Sequence, residues 1–247
     1  MISPEPQALQ EQVRDLYRQG TPWLPAGAGS RLHWGPPVAP ESLVLSCRRL
    51  NRILEHNPGD FTVSVEAGTP LAELQACLAS QNQWLPLDWP CSSGPGGEAS
   101  GSIEASGSVG GLVARGLAGG YRQRYLGVRD QLIGIGLIRS DGVFAHAGGK
   151  VVKNVAGYDL MRLFTGSWGS LGLITELTLR TLPLPPQRRG LWLAGSLAEL
   201  DALSRWLLAS SLSPERLDWW SAPLVEQAPI EAPPSPQPRL LLSLASV

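Results

Sequence analysis

The 247-residue chain lacks several features that would announce common functions. Its three cysteines, Cys47, Cys77 and Cys91, form no CxxC pair, and an odd number without a secretory leader points to reduced thiols. A cysteine-ligated iron–sulfur cluster needs about four thiolates, so this chain is expected to hold no cluster and no metal. Positive charge is not in excess: 20 Lys and Arg stand against 21 Asp and Glu, a net charge of −1. That balance excludes the basic field of a nucleic-acid binder and a polybasic membrane patch. No uninterrupted apolar run reaches about 18 residues, so no transmembrane helix is expected. The opening MISPEPQALQEQVRDLY has early proline and glutamate and no apolar core, unlike a signal peptide. Cytoplasmic location is the expectation, with membrane association only through partners.

What remains is globular: 43% hydrophobic and 17% charged residues, on a length suited to one large domain or two small ones. The most informative stretch is GGKVVKNVAGYDLMRLFTGSWGSLG, residues 148–172. Its glycines bracket a short helical pattern in which Leu160, Leu163 and Phe164 share a face. Glycine is used where backbone takes positive φ or approaches something closely. The pattern fits either backbone pressed against a large flat or phosphorylated ligand, or two tight turns around a packing helix.

Elsewhere the pattern predicts a helix over 7–19, strands at 43–45 and 61–66, a short helix over 50–56, and a strand at 84–87. Thr69 is placed to cap a helix with Pro70 at its first position, running to about residue 80. Composition then shifts at 91–111 to Gly, Ser, Ala and Glu, with a surface loop expected over 92–104. Residues 107–114 lead into a helical face, and a helix N-terminus with free N–H groups is a natural phosphate site. A strand at 131–138, a turn at Asp141-Gly142 and a partner strand form a hairpin. A long β pattern over 171–182 ends in the proline cluster 183–186, the expected domain boundary. Strands at 191–194, 217–220 and 240–245 and an amphipathic helix over 197–209 follow. The chain ends within strand pattern, and the last domain is expected to be incomplete.

Five segments, taken in order, resemble a known family. They are WLPAGAGS, DFTVSVEAGTPLAEL, GSVGGLVARGLAGG, YLGVRDQLIGIGLIRSDG and GGKVVKNVAGYDLMRLFTGSWGSLGLITELTLRTLPLP. Together they resemble the FAD-binding domain of the vanillyl-alcohol oxidase/para-cresol methylhydroxylase (PCMH) flavoproteins. KNVAGYDL and GSWGSLGLITE are most similar to the glycolate oxidase E-subunit family. The resemblance covers about residues 20–186 and implies an α+β fold: a PCMH-type FAD-binding domain over 1–186, with subdomains of about 1–90 and 91–186. A partial α+β substrate-type domain would follow over 187–247.

The resemblance also implies site roles. Pro25, Ala26, Gly27, Ala28, Gly29 and Ser30 match the first diphosphate loop, and Gly107, Ser108, Gly110 and Gly111 the second. Lys153, Gly157 and Tyr158 fall in the segment that lines the flavin, Gly169 and Gly172 in the turn closing on it. Ile174 falls on the adenine-ribose side. Covalent members often carry histidine in the first loop; Ser30 stands at about that place, so non-covalent FAD is expected. His33 reads as an ordinary polar residue, Asp159 as a helix cap, Arg129-Asp130 as a turn pair and His146 as a strand residue. Lys150 and Lys153 flank the flavin segment, where an ammonium would stabilise a reduced anionic ring. No catalytic base is identifiable: no histidine follows His146, and nothing singles out Arg188, Arg189, Arg205, Arg216 or Arg239 as a carboxylate holder.

The implied function is an FAD-dependent oxidoreductase subunit acting on a 2-hydroxy acid such as glycolate. Electrons would pass to a second flavoprotein subunit and an iron–sulfur subunit. The alternative is an assembly subunit that binds FAD without performing the chemistry.

Overall fold

The computed structural model describes residues 1–35, 37–88, 107–149, 159–227 and 237–246. Two compact units divide the chain: Met1–Leu117 with Gly127–Pro183, and Ala118–Leu126 with Leu184–Val247. Lys153, Gly157 and Tyr158, expected on the flavin side, lie outside the described residues, as do Lys150, Cys91 and the loop expected over 92–104.

The first unit contains α1 (Leu9–Arg18), β1 (Trp23–Ala26), β2 (Leu43–Ser46), β3 (Ile53–Asn57), β4 (Thr62–Glu66), α2 (Leu71–Ala79) and β5 (Gln83–Trp84). In the second unit, α4 (Arg122–Tyr125) interrupts a series that otherwise continues in the first with α3 (Val109–Arg115), α5 (Val128–Gln131), β6 (Leu132–Ile138) and β7 (Phe144–Gly148). The first unit closes with α6 (Leu160–Phe164), β8 (Leu173–Arg180) and β9 (Leu182–Pro183). A five-stranded antiparallel sheet has the order β3-β4-β8-β6-β7, drawing strands from both sides of residue 90.

The central strands β4 and β6 are buried at every position, and period-two alternation sorts their residues between the two faces. Val65, Leu177 and Ile135 stand side by side across β4, β8 and β6. Leu71, Leu74 and Leu78 of α2 and Val109, Leu112 and Val113 of α3 join the same buried cluster. On the other face, the hydroxyls of Ser64 and Thr178 meet at 2.9 Å. A second cluster packs Leu9, Val13 and Leu16 of α1 on Leu45, Cys47, Ile138 and Leu173. This anchors the short parallel pair β1-β2.

Three local expectations are corrected. Residues 50–56 hold no helix: Ile53 pairs with Val65, and Arg52 binds Glu66 through both its N–H (2.8 Å) and its guanidinium (2.7 Å). Strand pairing overrides helix propensity there. Thr69 does not cap α2; its hydroxyl donates to Arg52 O at 3.2 Å, and Pro70 occupies the cap position. In α6 the buried residues are Met161 and Phe164, while Leu160 and Leu163 are exposed. The backbone rotation that seats Met161 against the sheet turns both leucines outward.

The second unit continues with β10 (Arg188–Ala194), α7 (Leu197–Ala209), β11 (Arg216–Trp220), α8 (Ala222–Gln227) and β12 (Arg239–Ala245). Its antiparallel sheet runs β10-β12-β11. Helix α7 starts with a reciprocal cap between Ser196 and Glu199 and packs Leu200 and Leu207 on Leu240 and Leu242. Beneath it, Glu215 is 1% exposed. Tyr125 donates to its Oε1 at 2.6 Å, and Arg188 Nε to its Oε2 at 3.2 Å.

Candidate functional site

A cleft of about 730 Å³ opens in the first unit, within the usual size range of small-molecule sites. The structure brings into its wall Pro25, Ala26, Gly27, Ala28, Gly29 and Ser30, together with Ser108, Gly110, Gly111, Gly169, Gly172 and Ile174. Three segments far apart in sequence thus meet around one space. Gly107 stands just behind the wall, where a methyl group would strike the Arg31 guanidinium.

The first loop leaves β1, and its backbone carbonyls are fastened at its base. Cys47 N–H donates to Ala26 O at 2.7 Å and Ser46 Oγ to Gly27 O at 2.9 Å. Among the described residues, the backbone N–H groups of residues 27–30 donate to nothing. Successive unpaired amides in a loop form a natural anion cradle. The second loop differs. Val109 N–H donates to Thr69 O (3.0 Å), Gly110 N–H to Ala67 O (2.7 Å) and Gly111 N–H to Ser108 Oγ (3.2 Å). The expected free N-terminus of α3 is therefore already spent on packing. This loop contributes a close wall instead.

Two glycines explain the wall's closeness. A methyl on Gly27 would collide with the Ser108 side chain, so the two loops touch there. Gly169 has φ +79° and would drive a methyl into the Pro25 ring. Its neighbour Trp168 also has positive φ (58°), which is strained for a bulky residue. Trp168 N–H is held by Ala114 O at 2.8 Å.

The cleft also contains residues that the sequence did not single out. Arg31 directly follows the first loop, and its Nη1 donates to Ser30 Oγ at 3.3 Å. Arg115, in the last turn of α3, donates through Nη2 to Arg31 O at 2.7 Å. Its guanidinium lies 4.0 Å from the Trp168 ring centre. Burial, then the neighbouring Arg31 charge, lowers the Arg115 pKa. Cys47 also lines the cleft, and burial pushes its thiol up to about 12. His33, read as an ordinary polar residue, is exposed and lies on the cleft wall. The only usable signal for these residues was their adjacency to the glycine loops.

The other sequence candidates lie away from this wall. Asp159 precedes α6 without capping it and pairs with Arg162 at 2.6 Å. Asp130 Oδ2 accepts from Gly127 N–H at 3.1 Å, making a local turn. His146 is exposed on β7, edge-to-face with Phe144 at 4.8 Å between centroids. In the second unit Arg188 is paired with Glu215, Arg205 pairs with Asp201, and Arg239 is 5% exposed. No group of three or more potential metal ligands occurs among the described residues.

Residues 4–148, more than half of the chain, match the family described as FAD binding domain. The chain belongs to the FAD-binding domain family. Among curated relatives of this FAD-binding domain, glycolate oxidase subunit GlcE of Escherichia coli K12 is 37% identical over 82% of this chain and 54% of its own length. D-2-hydroxyglutarate dehydrogenase of Xanthomonas citri pv. viticola is 33% identical over 75% of this chain and 37% of that protein. Glycolate oxidase subunit GlcD of Bacillus subtilis is 30% identical over 90% of this chain and 46% of that protein. The chain thus spans about half the length of these relatives or less. A solved alkyldihydroxyacetonephosphate synthase superposes with a TM-score of 0.77 at 18% identity, over 99% of this chain and 46% of that one. That likeness bears out the PCMH-type α+β fold.

The residues present fit FAD. A cradle of unpaired amides, closed by glycines that admit no side chain, suits a diphosphate. Leu24, Leu32, Val38 and Val44 add apolar wall for ring systems. No helix among the described residues is long and apolar enough to cross a membrane.

Proposed function

We propose that this chain binds FAD non-covalently in the first unit's cleft and serves in the oxidation of a 2-hydroxy acid such as glycolate. The observation that carries this reading is the run of four first-loop amides, residues 27–30, with no acceptor of their own. They would hold the diphosphate, with the Ser30 hydroxyl as a further donor. Ser108, Gly110 and Gly111 would form the opposite wall, with Gly107 behind them. Gly169, Gly172 and Ile174 would close on the cofactor. Lys153, Gly157 and Tyr158 are assigned to the flavin side by the family resemblance. When bound, the flavin supplies a two-electron acceptor. The chain's own residues orient it and exclude water from its phosphates.

Electrons would leave to partner polypeptides, a second flavoprotein subunit and an iron–sulfur subunit. The names of the glycolate oxidase subunits among the relatives support a multi-subunit setting. An assembly role without substrate chemistry is favoured by one observation: Arg188 and Arg205 are already paired to carboxylates of their own unit.

The test is a visible spectrum of the purified full chain after incubation with FAD, then anaerobic addition of glycolate or lactate. A flavin band that bleaches on addition supports the oxidoreductase reading. A band that persists supports the assembly role, and absence of any band rejects FAD binding. Acid precipitation should release the flavin into the supernatant; a yellow pellet would contradict the non-covalent assignment.

A further inference from the structure

Helix α7 is apolar on more than the face it buries. Leu200 and Leu207 pack on the second unit's sheet, and Ser204 between them is buried. Yet Leu197, Trp206 and Leu208 are 66%, 60% and 61% exposed, and Ala198, Ala202 and Ala209 are exposed as well. Leu212, just past the helix end, is also exposed. A surface helix normally turns charged and polar residues outward. Only three of the thirteen residues here are charged, too few to cover that face. Glu199 is spent on the cap with Ser196, and Asp201 pairs with Arg205 one turn on. An exposed apolar patch of this kind marks an interaction surface.

The order of the residues says what fits it. At about 3.6 residues per turn, Leu197 and Leu208 fall on one line along the outward face. Asp201 and Arg205 lie beside that line, and Ala198 and Ala209 beyond them, with Ala202 and Trp206 at the border. About Leu203 the face therefore reads alike in both directions: a leucine and an alanine at each end, and opposite charges flanking the centre. Two copies of α7 laid antiparallel match. Leu197 of one meets Leu208 of the other, Asp201 meets Arg205, and Ala198 meets Ala209, each twice. Laid parallel, each charge would face its like.

We propose that α7 is the contact through which two copies of this chain form a two-fold dimer. Such a contact uses the same patch on both copies, and the patch must complement itself, as this one does in charge and in size. Helix α7 is about 20 Å long. With Leu212 its face approaches the low end of what a stable dimer needs, about 1,000 Å² buried in total, so dissociation in the micromolar range is expected. The inference makes no use of the cofactor cleft.

The experiment is sedimentation equilibrium of the full chain at concentrations up to about 100 µM. The average mass should rise from 26.4 kDa towards twice that value. A mass that stays at 26.4 kDa throughout would overturn the proposal and leave this face to a different polypeptide. Arg205→Asp sets acid against acid and should weaken the dimer by about tenfold or more. Asp201→Arg sets base against base, with the same result. Mixed in equal amounts, the two variants should form a heterodimer within about threefold of wild-type affinity, because each charge then finds its opposite. A mixture that stays monomeric, or single variants that dimerise as well as the wild type, would overturn the proposal. Should a charge variant fail to fold, Leu208→Gln leaves the charges intact. It should weaken the dimer by about tenfold through lost apolar burial, and an unchanged dimer would overturn the assignment to α7.

Discussion

Arginine is used in two opposite ways in this molecule. In the second unit, Arg188 closes on Glu215, whose carboxylate also accepts from Tyr125. Charge, donor and acceptor are matched within the protein, and the cluster ties the segment Ala118–Leu126 to the sheet. In the first unit, Arg115 leaves its buried Nη1 without a hydrogen-bond partner, on a cleft wall shared with four first-loop amides that donate to nothing among the described residues. A matched cluster has its energy invested in the fold. A donor without a partner stays available to a ligand, at some cost to the fold.

That contrast predicts different outcomes for mutation. Glu215→Ala should destabilise the protein by about 3 kcal/mol, because it removes the buried carboxylate that both Arg188 and Tyr125 bind. Urea unfolding measures this, and FAD affinity should change by less than twofold. If the affinity collapsed while the fold held, the division between structural and binding arginines would be wrong.

Gly169→Ala should act in the reverse direction. Its positive φ and the Pro25 ring leave no room for a methyl. We expect a stability cost of about 1–2 kcal/mol and, from displacement of the wall, FAD affinity reduced at least tenfold. Unaltered FAD binding in a folded Gly169→Ala protein would show that this turn does not shape the site.

Ser108→Ala removes the cap that accepts from Gly111 N–H, at about 1 kcal/mol of stability. Because the neighbouring amides are bound to Thr69 O and Ala67 O, FAD affinity should fall less than in Gly169→Ala. A larger fall than in Gly169→Ala would restore the N-terminus of α3 as the main phosphate contact.

The smallest effect is invisible at neutral pH. Burial raises the Cys47 thiol to about 12 from an ordinary value near 9. The folded state therefore holds its proton longer than the unfolded chain, and that stabilisation is complete below pH 9. It is lost as pH rises from about 9 towards 12. Burial and its bond to Glu215 raise Tyr125 as well, in the same sense. Cys47→Ala should lose stability less steeply across this window in pH-dependent unfolding; an identical slope would remove Cys47 from the account.

The sequence was most legible where one short-range rule acted alone. Alternation located β4 and β8, amphipathic spacing located α7, and glycine spacing located the loops. The rule failed where a distant partner decided. Residues 53–57 became a strand because β4 and Glu66 offered pairing that local propensity cannot show. Arg115 was invisible for a related reason: its importance comes from Trp168 and Arg31, 53 and 84 residues away in the chain. The resemblance to PCMH-type flavoproteins identified both loops, but only hydrogen-bond accounting separated the free amides of the first from the committed amides of the second.

The most direct test is amide hydrogen exchange of the full chain with and without saturating FAD. Protection should rise at residues 25–31 and 168–174 and remain unchanged at 188–194 and 216–220. The first loop should change most, because its amides gain acceptors they do not have in the protein alone. Protection confined to the second unit, with residues 25–31 exchanging as before, would contradict the account.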